Sequence, residues 1–114
     1  MGYSKLDLNG KSAVVIGGTS GIGRAIALGL AEAGADVAPT SRRLDQVDAT
    51  ALEIETLGRR SLRVTSDVVD RASLQQLLDA AVATFGKVDI LVNSAGRTKK
   101  APRETRGASQ QTSV

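Results

Sequence analysis

Apolar and polar positions follow two different periods along residues 1–96. Four short apolar runs have the length of β-strands. Three longer stretches between them repeat an apolar residue every three or four positions, as one face of an α-helix does. The predicted strands cover residues 11–17, 36–40, 62–65 and 88–92, and the predicted helices cover residues 22–33, 44–58 and 71–85. The pattern therefore predicts an α/β fold.

Residues that commonly begin and end helices support these boundaries. Asp70 is a good N-cap for the third helix, and Gly34 and Gly86 follow the first and third helices, where glycine often ends a helix. The predicted core face of the first helix consists of Ala25, Ile26, Gly29, Leu30 and Ala33. Gly29 lowers helix propensity, and we expect it to permit close approach to a strand.

Strands that alternate with helices predict a doubly wound parallel sheet, with strand order 3-2-1-4 and helices on both faces. The first strand is nearly continuously apolar, so we expect it in the middle of the sheet. Pro39 in the second strand lacks the N–H that a ladder uses, which indicates that pairing loosens there. The strand order reverses between strands 1 and 4, and ligands of such sheets bind beyond the carboxyl ends of the strands at that point.

A glycine-rich segment joins the first strand to the first helix, and it reads Gly17-Gly18-Thr19-Ser20-Gly21-Ile22-Gly23. A turn without bulky side chains lets backbone N–H groups approach a phosphate, and the next helix adds the positive end of its dipole. Glycine-rich turns also arise from tight packing alone. The βαβ context nevertheless favours a dinucleotide-binding segment.

Composition excludes several classes of site. The 114 residues include no cysteine and no histidine, which excludes disulfides, thiolate metal sites and a histidine base, and we predict no metal site. With one Phe and one Tyr, aliphatic residues must fill the core. There is no signal-peptide pattern and no apolar stretch of about 20 residues, so we expect a cytoplasmic protein without membrane contact.

Positive charge is concentrated after residue 96. Residues 1–96 carry 10 Lys and Arg against 11 Asp and Glu, whereas residues 97–114 carry 5 against 1. This segment has no aromatic residues for base stacking and no amphipathic pattern, so a solvated tail is favoured over nucleic-acid binding. The predicted organisation is a dinucleotide-binding unit over residues 1–101 and a disordered polar, basic tail over residues 102–114.

Short motifs follow three of the predicted strands: residues 16–23, the pair Asp67-Val68, and Asn93-Ser94-Ala95-Gly96. In these motifs the chain resembles the N-terminal part of the classical short-chain dehydrogenase/reductase family. That family has Thr-Gly-x-x-x-Gly-x-Gly, an acidic residue followed by an apolar one, and Asn-Asn-Ala-Gly at these places. Ile16 replaces the threonine, and Ser94 replaces the second asparagine. The resemblance covers about residues 6–101 and implies a Rossmann-like fold that binds a nicotinamide dinucleotide.

The resemblance also implies roles for individual residues. The cofactor-binding residues of the glycine segment would be Gly17, Thr19, Ser20, Gly21, Ile22 and Gly23. The glycines would let the pyrophosphate approach, with Ser20 and Ile22 near the phosphates. Asp67 would accept a hydrogen bond from the adenine amino group beside Val68. Without the other motifs, Asp67 would be interpreted as an ordinary loop carboxylate. The residues implied on the ribose side are Asn93, Ala95 and Gly96.

The residues after the second strand indicate which dinucleotide is bound. NAD-specific sites place a carboxylate there for the ribose 2′-hydroxyl, and that carboxylate would repel a 2′-phosphate. This chain has Ser41-Arg42-Arg43, beginning 18 residues after Gly23. The arginines could be solvated charges, but cations beside a helix N-terminus are mildly unfavourable without an anion. We therefore predict NADP(H) in preference to NAD(H).

The family's catalytic residues have no counterpart at the expected place. Hydride transfer in the family uses a Tyr-x-x-x-Lys pair after the fourth strand, whereas the one tyrosine here is Tyr3, with Asp7 four positions later. We predict no catalytic residue. The leading hypothesis is the NADP(H)-binding portion of a short-chain oxidoreductase that reduces a carbonyl or oxidises a secondary alcohol in its complete form. The alternative is a non-enzymatic nucleotide-binding or regulatory module.

The apolar pattern stops after Gly96, which favours a chain truncated after its fourth strand. The free edge of that strand would expose unpaired backbone groups and apolar surface. We therefore expect marginal stability and self-association through the edge of the fourth strand.

Overall fold

The structure is a computed structural model that describes residues 7–94. Its elements are β1 (Ser12–Ile16), α1 (Gly21–Glu32), β2 (Asp36–Thr40), α2 (Leu44–Thr56), α3 (Arg71–Phe85) and β3 (Ile90–Asn93). The strands form a parallel sheet in the order β2-β1-β3. All five residues of β1 are buried in the middle of the sheet, as its apolar sequence predicted.

Helices cover both faces of the sheet. On one face, α1 and α2 bury a cluster that includes Ala13, Val15, Ala27, Ala31 and Ile54. On the other face, α3 packs on β1 and β2 through a second cluster that includes Val14, Ile16, Leu77, Ala81 and Phe85. Small and aliphatic side chains thus supply most of the core, and the predicted α/β class is confirmed. None of the helices within residues 7–94 combines the length and the apolar character that a bilayer span requires.

The predicted strand over residues 62–65 is wrong. Residues 60–66 run beside β2, but within the described chain they make one isolated bridge, between Ser61 and Val37. The Val37 N–H donates to the carbonyl of Arg60 at 3.1 Å. Alternate residues of a strand direct their backbone groups to the same edge, so the next position on this edge is Pro39, which has no N–H to extend the ladder. The described sheet therefore has three strands, and the order 3-2-1-4 is not confirmed; β3 corresponds to the predicted fourth strand.

Helix boundaries agree with the cap residues. The Asp70 side chain accepts hydrogen bonds from the N–H groups of Ala72 and Ser73 at the start of α3, and the helix ends at Gly86, which is left-handed with φ 91°. Gly34 also has a positive φ just after α1. These boundaries confirm the predictions for both helices.

The predicted core face of α1 is partly wrong. The buried residues are Gly23, Ala27 and Ala31, whereas Ala25 and Gly29 are exposed. A Cβ added at Gly29 would meet no atom within 4 Å, so Gly29 does not serve close approach to a strand. The buried residues are spaced four apart from Gly23, which indicates that the contact at Gly23 sets the rotation of the helix.

Asp89 joins the starts of β1 and β3. Its Oδ2 accepts hydrogen bonds from the Lys87 ammonium at 2.7 Å and from the Ser12 N–H at 2.9 Å. The hydrogen bond from Lys87, followed by that from Ser12, lowers the pKa of Asp89 below its ordinary value of 3.8. Because the folded pKa is the lower one, ionised Asp89 stabilises the fold above pH 3.8, and this contribution is lost as the pH falls through the folded pKa.

We expect Asp89→Asn to lower the melting temperature at pH 7, because the amide keeps an acceptor but loses the charge. The difference from the unchanged protein should shrink as the pH falls below 3.8 and through the lowered pKa of folded Asp89, because both side chains are then neutral. Thermal unfolding followed by circular dichroism across pH measures both effects. Glu32→Gln is the control, since Glu32 is exposed and has no ion-pair partner within residues 7–94. A deficit that stays constant down to acid pH would contradict this assignment.

Candidate functional site

The glycine segment turns the chain from β1 into α1 at the carboxyl edge of the sheet. Gly17 has φ 80° and Gly21 has φ 55°, a region that residues with a Cβ rarely adopt. The N–H groups of Gly17 and Gly18 donate to the Thr40 carbonyl at 2.9 and 3.2 Å. The end of β2 therefore holds the first half of the turn in place.

Gly23 makes the closest approach between α1 and this turn. A Cβ at Gly23 would overlap with the Gly17 carbonyl oxygen and with the Ser94 hydroxyl. Ser94 Oγ lies 3.3 Å from the carbonyl oxygens of Ile16 and Gly17, and the Ser94 N–H donates to Ile16 at 2.8 Å. Ser94 thus joins the chain after β3 to the glycine segment. The apolar side chain of Ile16 has no hydroxyl with which to make such a contact.

Within residues 7–94, no side chain caps the N-terminus of α1. Ser20 at the N-cap makes no side-chain cap hydrogen bond, and the first turn contains no acidic residue, in contrast to α3 with Asp70. The N–H groups of the first helical residues have no intrahelical acceptor, and they carry the positive end of the helix dipole. Ile22 in this turn is 76% exposed. The helix therefore presents donors suited to an anion.

A cavity of about 310 Å³ opens beyond the carboxyl ends of β1 and β2. Its lining residues are Ile16, Gly17, Ser41, Arg42, Ser66, Asp67, Val68 and Val69. The structure thus brings together the glycine turn, the residues after β2 and the pair Asp67-Val68. The sequence prediction missed Ser66 and Val69. The sequence signal nearest to Ser66 and Val69 is the motif Asp67-Val68, which these two residues flank.

The two arginines after β2 differ in their surroundings. Arg42 lines the cavity, and no carboxylate within residues 7–94 pairs with it. Arg43 does not line the cavity. Its Nε lies 3.4 Å from Asp45 Oδ1, and the hydrogen bond from Arg43 lowers the pKa of Asp45. The Ser41 hydroxyl accepts the Arg43 N–H at 3.2 Å, which fixes the turn between β2 and α2.

Asp67 is half-buried in a tight turn at the cavity wall. Its Oδ1 accepts the Val69 N–H at 3.1 Å, and its own N–H donates to the Ser73 hydroxyl at 3.0 Å. Within the described residues Oδ2 has no hydrogen-bond partner. Asp67 therefore keeps an acceptor for a ligand while its backbone is held in place.

The remaining predicted residues lie at the same edge of the sheet. Thr19 is 7% exposed and donates to the side-chain oxygen of Gln46 at 3.2 Å, whereas Ser20 is exposed. Asn93 is the register partner of Ile16, so it ends β3 beside the turn. Ala95 and Gly96 lie outside the described residues. No group of three or more Asp or Glu side chains within residues 7–94 could hold a metal ion.

The family model described as short chain dehydrogenase matches residues 11–112. This chain belongs to the short-chain dehydrogenase family. It is 46% identical over 90 residues to L-rhamnose 1-dehydrogenase (NAD(P)(+)) of Sphingomonas sp. (strain SKA58), covering 78% of this chain and 35% of that protein. It is 42% identical over 97 residues to 2-dehydro-3-deoxy-D-gluconate 5-dehydrogenase of Escherichia coli (strain K12), covering 85% and 38%.

A solved structure shows the same fold. It is a short chain dehydrogenase from Burkholderia cenocepacia J2315 in complex with NADP, with a TM-score of 0.76 and 42% sequence identity, covering 82% of this chain and 39% of that one. The chain thus spans between 35% and 39% of the length of these three relatives. The predicted family and the Rossmann-like fold are confirmed.

Gly23 and Gly29 form a matched pair on α1 for testing the close approach. We expect Gly23→Ala to lower the free energy of unfolding by roughly 1–3 kcal/mol, because the new methyl group overlaps with a backbone carbonyl. Gly29→Ala should raise it by roughly 0.5–1 kcal/mol, since the site is open and alanine favours the helix. Urea unfolding of both variants measures the difference. Equal effects would contradict the contact at Gly23.

Proposed function

We propose that this chain binds a nicotinamide dinucleotide, NADP(H) in preference to NAD(H), as the dinucleotide-binding part of a short-chain oxidoreductase. Membership of the family supports the class of ligand. The uncapped start of α1 and the neighbouring cavity support the place where it binds. For this chain, the proposal is limited to binding of the dinucleotide.

In the proposed complex the diphosphate lies at the N-terminus of α1, against the N–H groups near Ser20 and Ile22. The adenosine occupies the cavity, with Asp67 accepting from the adenine amino group beside Val68. The family resemblance assigns Asn93 to the ribose side of the cofactor, together with Ala95 and Gly96, which lie outside the described residues. This arrangement uses the N–H groups at the start of α1 and the second carboxylate oxygen of Asp67, which no described side chain occupies.

The preference for NADP(H) rests mainly on the position of Arg42. This guanidinium lines the cavity beside the Ser41 hydroxyl and is not neutralised by a described carboxylate. A guanidinium binds a 2′-phosphate through charge-assisted hydrogen bonds, whereas a carboxylate at this position would repel it. Arg43, which is bound to Asp45, contributes positive charge at longer range.

The bound nicotinamide would supply or accept a hydride, and the whole protein would reduce a carbonyl or oxidise a secondary alcohol. The described residues serve to bind and orient the dinucleotide. A nucleotide-binding module without catalysis would use the same contacts. Reductase activity with a carbonyl substrate and NADPH, measured after this chain is mixed with a downstream fragment of a short-chain oxidoreductase, separates the two hypotheses: restored activity supports the enzyme.

Arg42→Ala tests the preference between the two cofactors. We expect it to weaken NADPH binding by about tenfold or more and to leave NADH binding nearly unchanged, because a hydrogen bond to a charged group contributes about 1.5–3 kcal/mol. Isothermal titration with both dinucleotides gives the two dissociation constants. Lys11→Ala is the control. It removes one positive charge, as Arg42→Ala does, but at the opposite end of β1 from the cavity. Equal affinities that do not respond to Arg42→Ala would refute the phosphate assignment.

We further propose that copies of this chain associate through the edge of β3. Within the described sheet, β1 is the one neighbour of β3, and Leu91 on this strand is 44% exposed. An exposed edge with apolar side chains favours pairing with another chain.

Sedimentation velocity tests this association. The average mass should rise with protein concentration, and Leu91→Lys should shift it towards the monomer because edge lysines oppose strand pairing. Leu52→Lys is the matched control, since Leu52 is 56% exposed on α2, away from the edge of β3. A single monomeric species at all concentrations would disprove the association.

A further inference from the structure

Polar side chains of α2 hold the glycine segment and α1 at two points. The Thr19 hydroxyl donates to Gln46 Oε1 at 3.2 Å. Arg24 Nε donates to Glu53 Oε1 at 3.0 Å, and its second nitrogen also contacts Glu53. Gln46 and Glu53 lie seven residues apart, which places them on the same face of the helix two turns from each other.

The two contacts act on different parts of the chain. Arg24 and Glu53 join one helix to the other, and both side chains are 42% exposed, so solvent screens their interaction. Thr19 instead lies between the two left-handed glycines, Gly17 and Gly21, and is almost completely buried. A glycine-rich turn loses much conformational freedom on ordering, so a side-chain contact at its centre restricts it most effectively.

We propose that Gln46 is a positioning residue for the diphosphate site. By accepting the hydrogen bond from Thr19, it fixes the turn in which the N–H groups at the start of α1 meet the ligand. Arg42 lies two residues before the start of α2, so the cation of the cavity and the anchor of the glycine segment come from neighbouring parts of the chain. This inference rests on the proposed dinucleotide binding.

Gln46→Leu removes the acceptor and keeps a side chain of similar size. The dissociation constant of NADPH should rise about three- to tenfold, as expected for one lost hydrogen bond, while that of adenosine 2′-monophosphate should change less than about twofold. Adenosine 2′-monophosphate has the phosphate for Arg42 but lacks the diphosphate, so it reports on the cavity alone. An overall loss of folded protein would affect both ligands alike.

Gln75→Leu is the matched control. It removes the hydrogen bond from Gln75 to Asp79, 2.9 Å long, on the exposed face of α3, and it should change neither affinity. Thr19→Val removes the donor of the proposed contact. In the Thr19→Val background, Gln46→Leu should cause no further loss, because the two side chains act through one interaction.

Amide hydrogen exchange without ligand gives an independent measurement. The N–H groups of Gly17 and Gly18, which donate to Thr40, should exchange faster in Gln46→Leu than in Gln75→Leu, while the amides of β1 should not change. If the unchanged protein binds neither dinucleotide, the proposed function fails, and the exchange rates still test whether Gln46 holds the turn. Unchanged exchange, equal losses for both ligands or additive effects of the two substitutions would overturn the proposal.

Discussion

The contact between Gly23 and the Gly17 carbonyl controls how α1 sits on the sheet. No side chain larger than hydrogen fits there, so the start of the helix lies directly against the turn that leaves β1. The positions that follow at intervals of four residues, Ala27 and Ala31, then face the sheet and must also be small. A close helix contact brings more backbone atoms within van der Waals distance, which compensates for the small area of alanine side chains.

Residues of β2, of α2 and of the chain after β3 form hydrogen bonds with the glycine segment. The Thr40 carbonyl at the end of β2 accepts two of its N–H groups, Gln46 on α2 accepts the Thr19 hydroxyl, and Ser94 after β3 contacts its carbonyl side. From the part of the chain that the structure describes, the N–H groups at the start of α1 receive no side-chain partner. The site therefore consists of a fixed backbone and a set of unpaired donors, which is the arrangement that anion binding favours.

Local signals in the sequence predicted some elements well. The boundaries of α3 follow from Asp70 and Gly86, whose capping geometry depends on residues close in sequence. The apolar sequence of β1 likewise predicts burial on both faces. The strand predicted over residues 62–65 failed because the missing donor belongs to Pro39, a residue of the neighbouring strand. The rotation of α1 also depends on a contact between elements, which periodicity alone does not show.

The candidate site, like the fold, was predicted from the sequence only in part. The glycine segment and the pair Asp67-Val68 could be identified because they resemble short motifs of known spacing. Sequence could not distinguish Arg42 from Arg43, since only the fold determines which of them lines the cavity. Gln46 belongs to no motif and depends on the packing of α2 beside the turn. The roles assigned to individual residues remain predictions.

Hydrogen bonds of side-chain hydroxyl groups join the outer wall of the cavity to β2. Between the bridge at Ser61 and the backbone hydrogen bond from Ser66 to Ser41, the Thr40 hydroxyl contacts Val64 at 2.6 Å and Ser66 at 3.0 Å. A hydroxyl rotates to suit its acceptor, whereas the backbone groups of a sheet are fixed in a regular ladder. The outer wall of the cavity is therefore held to β2 by side-chain hydroxyls, separately from the backbone pairing between β1 and β2.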